Sequence, residues 1–165
     1  MAAPVAVSTY AAILAAPLGL HAKLGVCIQQ QAVSSIDFLS LRHADLAPTT
    51  AFAQRVVDQL LRYFTHPRHT FSIPLSLQGT PFQQRVWQAL LSLPAGETVS
   101  YGALAAQLAT GARAVGNACR ANPVPIIVPC HRIVAHNGLG GYSGAIAGTQ
   151  LGIKRWLLEH ERQPI

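Results

Sequence analysis

The segment Asn122-Pro-Val-Pro-Ile-Ile-Val-Pro-Cys-His-Arg132 is the most distinctive part of this chain of 165 residues. Cys130 follows an apolar run, which predicts that it is buried, and His131 and Arg132 come directly after it. A cationic neighbourhood lowers the pKa of a thiol and increases the fraction present as the nucleophilic thiolate. The segment therefore makes Cys130 a candidate nucleophile, although an inert buried cysteine is the commoner outcome for any single cysteine.

His131 is a candidate base for Cys130, because a neutral imidazole can accept the proton of a thiol. Adjacent side chains on an extended strand point to opposite faces, so a turn or a bridging water would be needed. A surface histidine is the alternative interpretation. Glu161, one of only three glutamates, is a candidate to orient the imidazole, but the sequence distance alone leaves this open.

Residues 80–165 are predicted to form a mainly helical unit. Thr80-Pro-Phe-Gln83 begins its first helix, because Thr can cap, Pro suits the first helical turn and Gln can complete a capping box. Pro94-Ala-Gly96 ends that helix, and a last helix is predicted near 149–160. Leu77-Gln-Gly79 is interpreted as the hinge from the preceding unit.

Two short helices follow within this unit, and their arrangement is a helix-turn-helix pattern. Ser100 can cap the first, and the second begins near Ala112 after Thr110-Gly111. Such pairs also occur in many all-α proteins, so the pattern alone does not establish DNA binding. The second helix carries mostly small residues, which cannot read base edges but allow close approach to a groove, with Arg113 and Asn117 as polar exceptions. The small residues are Ala112, Ala114, Val115, Gly116, Ala118 and Ala121.

Residues 1–79 are predicted to form a small sheet with one helix. Thr50 can cap that helix, and its predicted apolar face consists of Ala53, Val56, Val57, Leu60, Leu61 and Phe64. Four short apolar runs are typical of strands. The runs are 10–16, 24–28, 32–39 and 70–77.

The composition limits the class of protein. The net charge is +6, and residues 81–165 hold seven Lys or Arg against three acidic residues, whereas residues 1–80 hold five against three. This bias fits a nucleic-acid partner or an ordinary solvated surface equally well. No apolar stretch reaches the roughly 18 to 20 residues of a membrane span. No basic residue precedes the apolar N-terminal segment, which disfavours a signal peptide.

The three cysteines, Cys27, Cys119 and Cys130, are an odd number without a CxxC spacing. This pattern favours a reducing compartment such as the cytoplasm over a disulfide framework, and it offers no metal site. Cys27 and Cys119 are interpreted as inert, because nothing around them indicates reactivity. No cofactor is expected.

Four motifs of the C-terminal unit together resemble those of the O6-alkylguanine-DNA alkyltransferases, also called methylated-DNA-protein-cysteine methyltransferases. The resemblance covers about residues 80–161 and implies a two-domain α/β protein. Residues 1–79 would form a ribonuclease-H-like domain, and residues 80–165 a mainly helical DNA-binding and alkyl-acceptor domain with the helix-turn-helix. The motifs are Asn122-Pro-Val-Pro125, Pro129-Cys-His-Arg132, Gly141-Tyr-Ser-Gly144 and Trp156-Leu-Leu-Glu-His-Glu161.

The resemblance implies direct, single-turnover repair, in which the alkyl group of O6-alkylguanine in double-stranded DNA moves to Cys130. In that family the motif His acts on the Cys through a water, the Glu holds the His and the Asn supports the turn, which implies these roles for His131, Glu161 and Asn122. Tyr101 would donate a hydrogen bond to the departing guanine. A thioether offers water no electrophilic carbonyl, so Cys130 would react once.

The resemblance also implies how the DNA would be held. Arg113 would fill the gap left by an extruded base, and Tyr142 and Ser143 would form the wall around the flipped guanine. The chain would act as a monomer, without a cofactor or a membrane. Further residues expected at the DNA are Ala112, Ala114, Val115, Gly116 and Arg132.

Three other functions stay open on the sequence. A non-catalytic damage sensor of the alkyltransferase-like kind would carry a different residue at the position of Cys130. A helix-turn-helix regulator of transcription would need more base-reading side chains. A Cys-His hydrolase would turn over repeatedly on esters or amides.

Overall fold

The computed structural model describes residues 9–142 and 149–164, which form a mixed α/β fold. A three-stranded antiparallel sheet contains β1 (Ala12–Ala15), β2 (Lys23–Gln29) and β3 (Ala32–Leu39). A short parallel pair contains β4 (Val99–Ser100) and β5 (Ile133–Val134). The helices are α1 (Ala51–Thr65), α2 (Pro81–Leu91), α3 (Tyr101–Gln107), α4 (Ala112–Arg120) and α5 (Thr149–Glu161), and short 3-10 helices span Leu18–Leu20 and Cys130–Arg132.

The antiparallel sheet buries one face against α1. Val26 of the central strand lies opposite Ala12 on one side and Ile36 on the other, and all three side chains are buried. α1 adds the fully buried Val56 and Leu60 to the same core. The first three predicted strands are therefore confirmed.

The fourth predicted strand, over 70–77, is wrong. Among the described residues this segment makes a single bridge to β3, in which Val33 donates its N–H to the Pro74 carbonyl at 2.9 Å. Proline has no N–H with which to extend a ladder. The Ser72 N–H donates a hydrogen bond to Gln59 Oε1 of α1 at 2.9 Å, so it is not available to a neighbouring strand. The segment is extended but is held mainly by α1 side chains and one bridge.

α1 begins where the sequence predicts, because the Thr50 hydroxyl accepts the Ala53 N–H at 3.1 Å. Its predicted apolar face is wrong in one place: Leu61 is 46% exposed, and Tyr63 is fully buried instead. A buried tyrosine needs a partner for its hydroxyl. Tyr63 finds that partner in Glu161 of α5.

α2 begins with the predicted capping box. The Thr80 hydroxyl accepts the Gln83 N–H at 3.1 Å, and the Gln83 side chain accepts the Thr80 N–H at 2.9 Å. Pro81 occupies the first turn, where its missing N–H costs nothing. The buried Trp87 donates its indole N–H to the Ala118 carbonyl at 2.9 Å and so ties α2 to α4.

The start of α3 is fixed next to the Cys130 segment. The Ser100 hydroxyl caps α3 by accepting the Ala103 N–H at 3.0 Å, as predicted. The parallel pair of β4 and β5 sets Val99 opposite Ile133, three residues after Cys130. The first turn of α3 therefore lies beside the candidate nucleophile.

α5 confirms the predicted last helix and closes the core. Ile153, Leu157 and Leu158 are buried on its inner side, and Glu161 at its end is fully buried. Within the described ranges, no helix combines the length and apolar character that crossing a membrane requires.

Candidate active site

Cys130 is held in a short 3-10 helix and is 5% exposed. The Asn122 amide donates to the Val128 carbonyl at 2.8 Å and to Cys130 Sγ at 3.2 Å. The Asn122 carbonyl oxygen accepts the Val124 N–H at 3.0 Å. One side chain thus connects both ends of the loop and contacts the sulfur.

The environment of the thiol differs from the one predicted. Burial raises the pKa of Cys130, while the Asn122 hydrogen bond and the charge of Lys154 pull it down without overcoming burial. A lowered pKa was expected for this thiol, with Arg132 as the nearby charge. The cation that acts on the thiol is Lys154 instead, so thiolate formation requires a base in the same site.

Lys154 is the functional residue that sequence reasoning missed. Its side chain is fully buried, and its ammonium donates to the Ile133 carbonyl at 2.5 Å and to the Gly141 carbonyl at 2.8 Å. Burial lowers its pKa to about 8. One signal was available, because Lys154 precedes Leu157, Leu158 and Glu161 at the three-, four- and seven-residue spacing of one helical face.

His131 and Glu161 form a buried pair, as the family resemblance implied. His131 Nε2 lies 2.8 Å from Glu161 Oε1, and both side chains are fully buried. Burial would raise the pKa of Glu161, but hydrogen bonds from His131 and Arg132 outweigh it and hold the pKa well below its usual range. Burial lowers the pKa of His131 despite its bond to Glu161. At neutral pH the pair is therefore a carboxylate and a neutral imidazole.

The protonation of His131 follows from its partner. A carboxylate accepts hydrogen bonds, so the proton of the neutral ring lies on Nε2, facing Glu161. Nδ1 then carries the lone pair. Among the described residues Nδ1 is buried and has no hydrogen-bond partner. The ring thus presents a free basic nitrogen.

The placement of Arg132 contradicts its predicted role at the DNA. Its side chain is 9% exposed and donates to both oxygens of Glu161, Nε to Oε2 at 2.9 Å and Nη2 to Oε1 at 2.8 Å. Nη1 donates to the Leu93 carbonyl. The carboxylate at the end of α5 draws the guanidinium inward, where the charges compensate each other.

Two tyrosines flank the thiol. Tyr101, at the start of α3, donates its hydroxyl to the Gly141 carbonyl at 3.2 Å, and burial raises its pKa to about 12. Tyr142 is 3% exposed and packs edge-on against Phe38. Its hydroxyl has no well-formed hydrogen bond within the described chain, although it lies close enough to Cys130 for each to affect the pKa of the other. Ser143 lies outside the described residues.

α4 divides into a buried and an exposed side. Val115 is fully buried, so its prediction as a DNA contact is wrong: it packs in the core beside Ala118. Ala112 and Arg113 are exposed, while Ala114 and Gly116 are half-buried. A Cβ on Gly116 would lie 3.8 Å from the Tyr101 ring.

The other two cysteines are unpaired. Burial raises the pKa of Cys119 to about 12, which suits an inert thiol. Within residues 9–142 and 149–164, no three His, Cys, Asp or Glu side chains gather as a metal site would require.

Part of the chain matches a known protein family. Residues 81–163 match the family described as 6-O-methylguanine DNA methyltransferase, DNA binding domain. This range contains the whole of the site apart from Tyr63.

Several curated relatives are similar over the same part of the chain. The constitutive methylated-DNA--protein-cysteine methyltransferase of Bacillus subtilis is 50% identical over 108 residues, which is 64% of this chain and 63% of that protein. The protein of the same name from Mycobacterium tuberculosis H37Rv is 51% identical over 109 residues, again 64% and 63%. The alignment thus spans less than two thirds of the curated relatives.

Solved structures extend the similarity to the N-terminal part. The Mycobacterium tuberculosis O6-methylguanine methyltransferase superimposes with a TM-score of 0.75 at 37% identity, covering 91% of this chain and 90% of that one. The Mycobacterium tuberculosis OGT solved in complex with DNA gives a TM-score of 0.74 at 39% identity, covering 92% and 91%.

Proposed function

The chain belongs to the 6-O-methylguanine DNA methyltransferase family, and we propose that it repairs double-stranded DNA by moving the alkyl group of O6-alkylguanine onto its own Cys130. The observation that carries this proposal is the buried set of Cys130, His131 and Glu161, with the Asn122 amide on the sulfur. A site of this kind can remove a proton from a thiol away from bulk water.

The reaction begins with the Cys130 proton. Glu161 retains the Nε2–H of His131 and leaves Nδ1 as the base, which takes the thiol proton through a bridging water. The ammonium of Lys154 and the amide of Asn122 stabilise the thiolate. Because burial alone disfavours the thiolate, these three groups together make the nucleophile available.

The thiolate then attacks the alkyl carbon in line with the C–O bond. Its electron pair forms the S–C bond, and the pair of the broken C–O bond stays on guanine O6. The Tyr101 hydroxyl turns from the Gly141 carbonyl to donate to the developing negative charge, and its raised pKa keeps it a donor at neutral pH. The product is a thioether, so each chain reacts once.

The DNA lies against α3 and α4, which act as a helix-turn-helix. Arg113 is exposed at the second position of α4, beside the exposed and small Ala112. Small side chains let the helix approach a groove, while the arginine enters the stack in place of the extruded base. Tyr142 walls the pocket that receives the base, and Ala114 and Gly116 lie on the rim of the DNA-facing side.

The same proposal includes the domain organisation, the oligomeric state and the cellular compartment. Residues 1–79 act as a ribonuclease-H-like domain and residues 80–165 as the DNA-binding and acceptor domain. The protein works as a monomer in the cytoplasm, which is consistent with its unpaired cysteines.

Mass spectrometry of the protein after incubation with a duplex containing one O6-methylguanine tests the proposal. We expect a mass gain of one methyl group per chain, located on the peptide that contains Cys130. A damage sensor or a transcription regulator would bind DNA without any gain. A hydrolase would show repeated turnover on an ester and no stable adduct.

A further inference from the structure

Tyr63 connects α1 to the carboxylate that holds His131. It is fully buried, and its hydroxyl donates to Glu161 Oε1 at 2.9 Å across a sequence separation of 98 residues. The same oxygen accepts His131 Nε2 and Arg132 Nη2, each at 2.8 Å. Tyr63 lies outside the segment that carries the sequence motifs, yet it contacts the oxygen that orients the base.

The backbone of Tyr63 is also fixed. Its carbonyl, which is near the end of α1 and so has no partner in the helix, accepts His160 Nε2 at 2.8 Å. His160 is stacked on Trp156 at 4.7 Å, and Phe71 packs against the Tyr63 ring at 5.5 Å. Both ends of the tyrosine are thus tied to consecutive residues of α5, which leaves its hydroxyl little freedom to move.

The hydroxyl can act only as a donor to Glu161. Burial and the negative charge of Glu161 raise the pKa of Tyr63 well above its ordinary value, so it keeps its proton. Oε2 of Glu161 accepts Arg132 Nε at 2.9 Å and the Gly96 N–H at 3.2 Å. Because both oxygens accept hydrogen bonds, the plane of the carboxylate is fixed. Glu161 Oε1 accepts the Nε2–H of His131, so the fixed carboxylate also fixes the ring and the direction of its Nδ1.

We propose that Tyr63 is a positioning residue for alkyl transfer: its hydroxyl orients the Glu161 carboxylate, which in turn aims His131 at Cys130. The proposal rests on the proposed function, because it concerns the rate of that reaction. Tyr63 contacts neither the thiol nor the substrate. Its effect must therefore pass through Glu161 and His131.

Tyr63→Phe removes only the hydroxyl and keeps the packed ring. We expect the limiting rate of methyl transfer at saturating duplex to fall about tenfold, as for the loss of one hydrogen bond to a charged group, with unchanged DNA affinity. The charged groups that act on His131 are Glu161, Arg132 and Lys154. Without the Tyr63 donor, Glu161 stabilises the imidazolium more, so the acid limb of the rate profile should move to higher pH.

Tyr10→Phe is the matched control. Tyr10 lies just before β1, and its hydroxyl donates to Asp37 Oδ2 of β3 at the same 2.9 Å, in an exposed hydrogen bond. We expect this variant to keep the parent rate and pH profile. A purely structural role for Tyr63 would lower thermal stability without moving the acid limb of the folded protein.

A double variant tests the route of the effect. If Tyr63 acts through the imidazole, Tyr63→Phe should add no further slowing to His131→Ala. Additive slowing, or a Tyr63→Phe protein with the parent rate and acid limb, would overturn the positioning role. A parent chain that places no methyl group on Cys130 would instead overturn the proposed function, so the two failures are distinguishable.

Discussion

The Glu161 cluster (Tyr63, His131, Arg132 and Glu161) and the exposed side of α4 (Ala112, Arg113, Asn117 and Arg120) are built in opposite ways. In the cluster every side chain is buried, and each carboxylate oxygen accepts at least two donors. On α4 the side chains face solvent. Under the proposed function, the groups that act on the thiol are positioned before the substrate binds, whereas the side chains of α4 gain their contacts only when DNA binds.

This difference predicts how substitutions in each region change stability and reaction rate. Removing one partner of a buried charge pair costs about 3–5 kcal/mol, because the other charge stays buried and uncompensated. A substitution on an exposed helix face changes stability by about 0.5 kcal/mol or less. Changes in the cluster should therefore affect stability and chemistry together, while changes on α4 should affect only reactions that involve a duplex.

The largest effect is expected for Cys130→Ser. A serine hydroxyl is almost un-ionised at neutral pH and is a far poorer nucleophile than a thiolate, so methyl transfer should be lost while DNA binding is retained. Transfer is measured by mass spectrometry and DNA affinity by titration with a labelled duplex. Cys27→Ser, at a half-buried cysteine of the sheet, should react like the parent. Transfer by Cys130→Ser would place the acceptor elsewhere.

Glu161→Gln should slow transfer about a hundredfold, the lower end of what a general base contributes. It should also lower the free energy of unfolding by about 3 kcal/mol at pH 7, because Arg132 would stay buried without its anion. Glu159→Gln, at an exposed glutamate of the same helix, should change neither quantity.

The stability difference for Glu161→Gln should depend on pH. A carboxylate whose folded-state pKa is depressed contributes stability above its unfolded pKa of about 4.3 and loses it as pH falls through the lower folded value. The gap between parent and variant should therefore be constant at neutral pH and shrink below about pH 4. Urea unfolding at several pH values measures it, and a constant gap down to acid pH would contradict the depressed pKa.

Arg113→Ala tests the exposed side of α4. Opening a duplex costs on the order of a few kcal/mol, so a side chain that fills the vacated stack matters only where there is a stack. We expect transfer from methylated duplex to slow about tenfold or more, whereas O6-benzylguanine as a free base should react at close to the parent rate. Arg62→Ala, at an exposed arginine of α1, serves as the control and should react like the parent on both substrates. Equal slowing on both substrates would instead assign Arg113 to the fold or the thiolate.

The sequence predicted those features that depend on residues close together in the chain. The caps at Thr50, Thr80 and Ser100 depend on residues within one turn, and each was confirmed. The proximity of His131 to Glu161 was implied by the family resemblance and not by the residues alone, and the structure brings the two together.

Val115 was grouped with the small residues at the DNA, although Val115, Ala118 and Cys119 have the three- and four-residue spacing of one buried helical face. The other errors depend on tertiary contacts that the sequence does not show. Arg132 was assigned to DNA and Lys154 was passed over, because cations are expected at the surface. Both are buried where carboxylate or carbonyl oxygens 13 or more positions away accept their hydrogen bonds.

Lys154→Met should have the smallest effect and the most specific pH dependence. The variant lacks the ammonium, whose charge lowers the pKa of Cys130. The pKa of the thiol should therefore rise. At a fixed pH below that pKa, about threefold less thiolate should be present. The pKa of Lys154 itself is about 8. Its stabilisation of the thiolate is therefore present below that pH and is lost as the ammonium gives up its proton.

The rates of parent and Lys154→Met should accordingly differ most below about pH 8 and converge above it. Single-turnover rates with free O6-benzylguanine measure this without any contribution from DNA binding. Arg155→Met removes a neighbouring but exposed charge of the same helix and should leave the profile unchanged. A rate ratio that stays constant from pH 6 to 10 would mean that Lys154 acts only by holding the Ile133 and Gly141 carbonyls in place, because those hydrogen bonds do not require the ammonium charge.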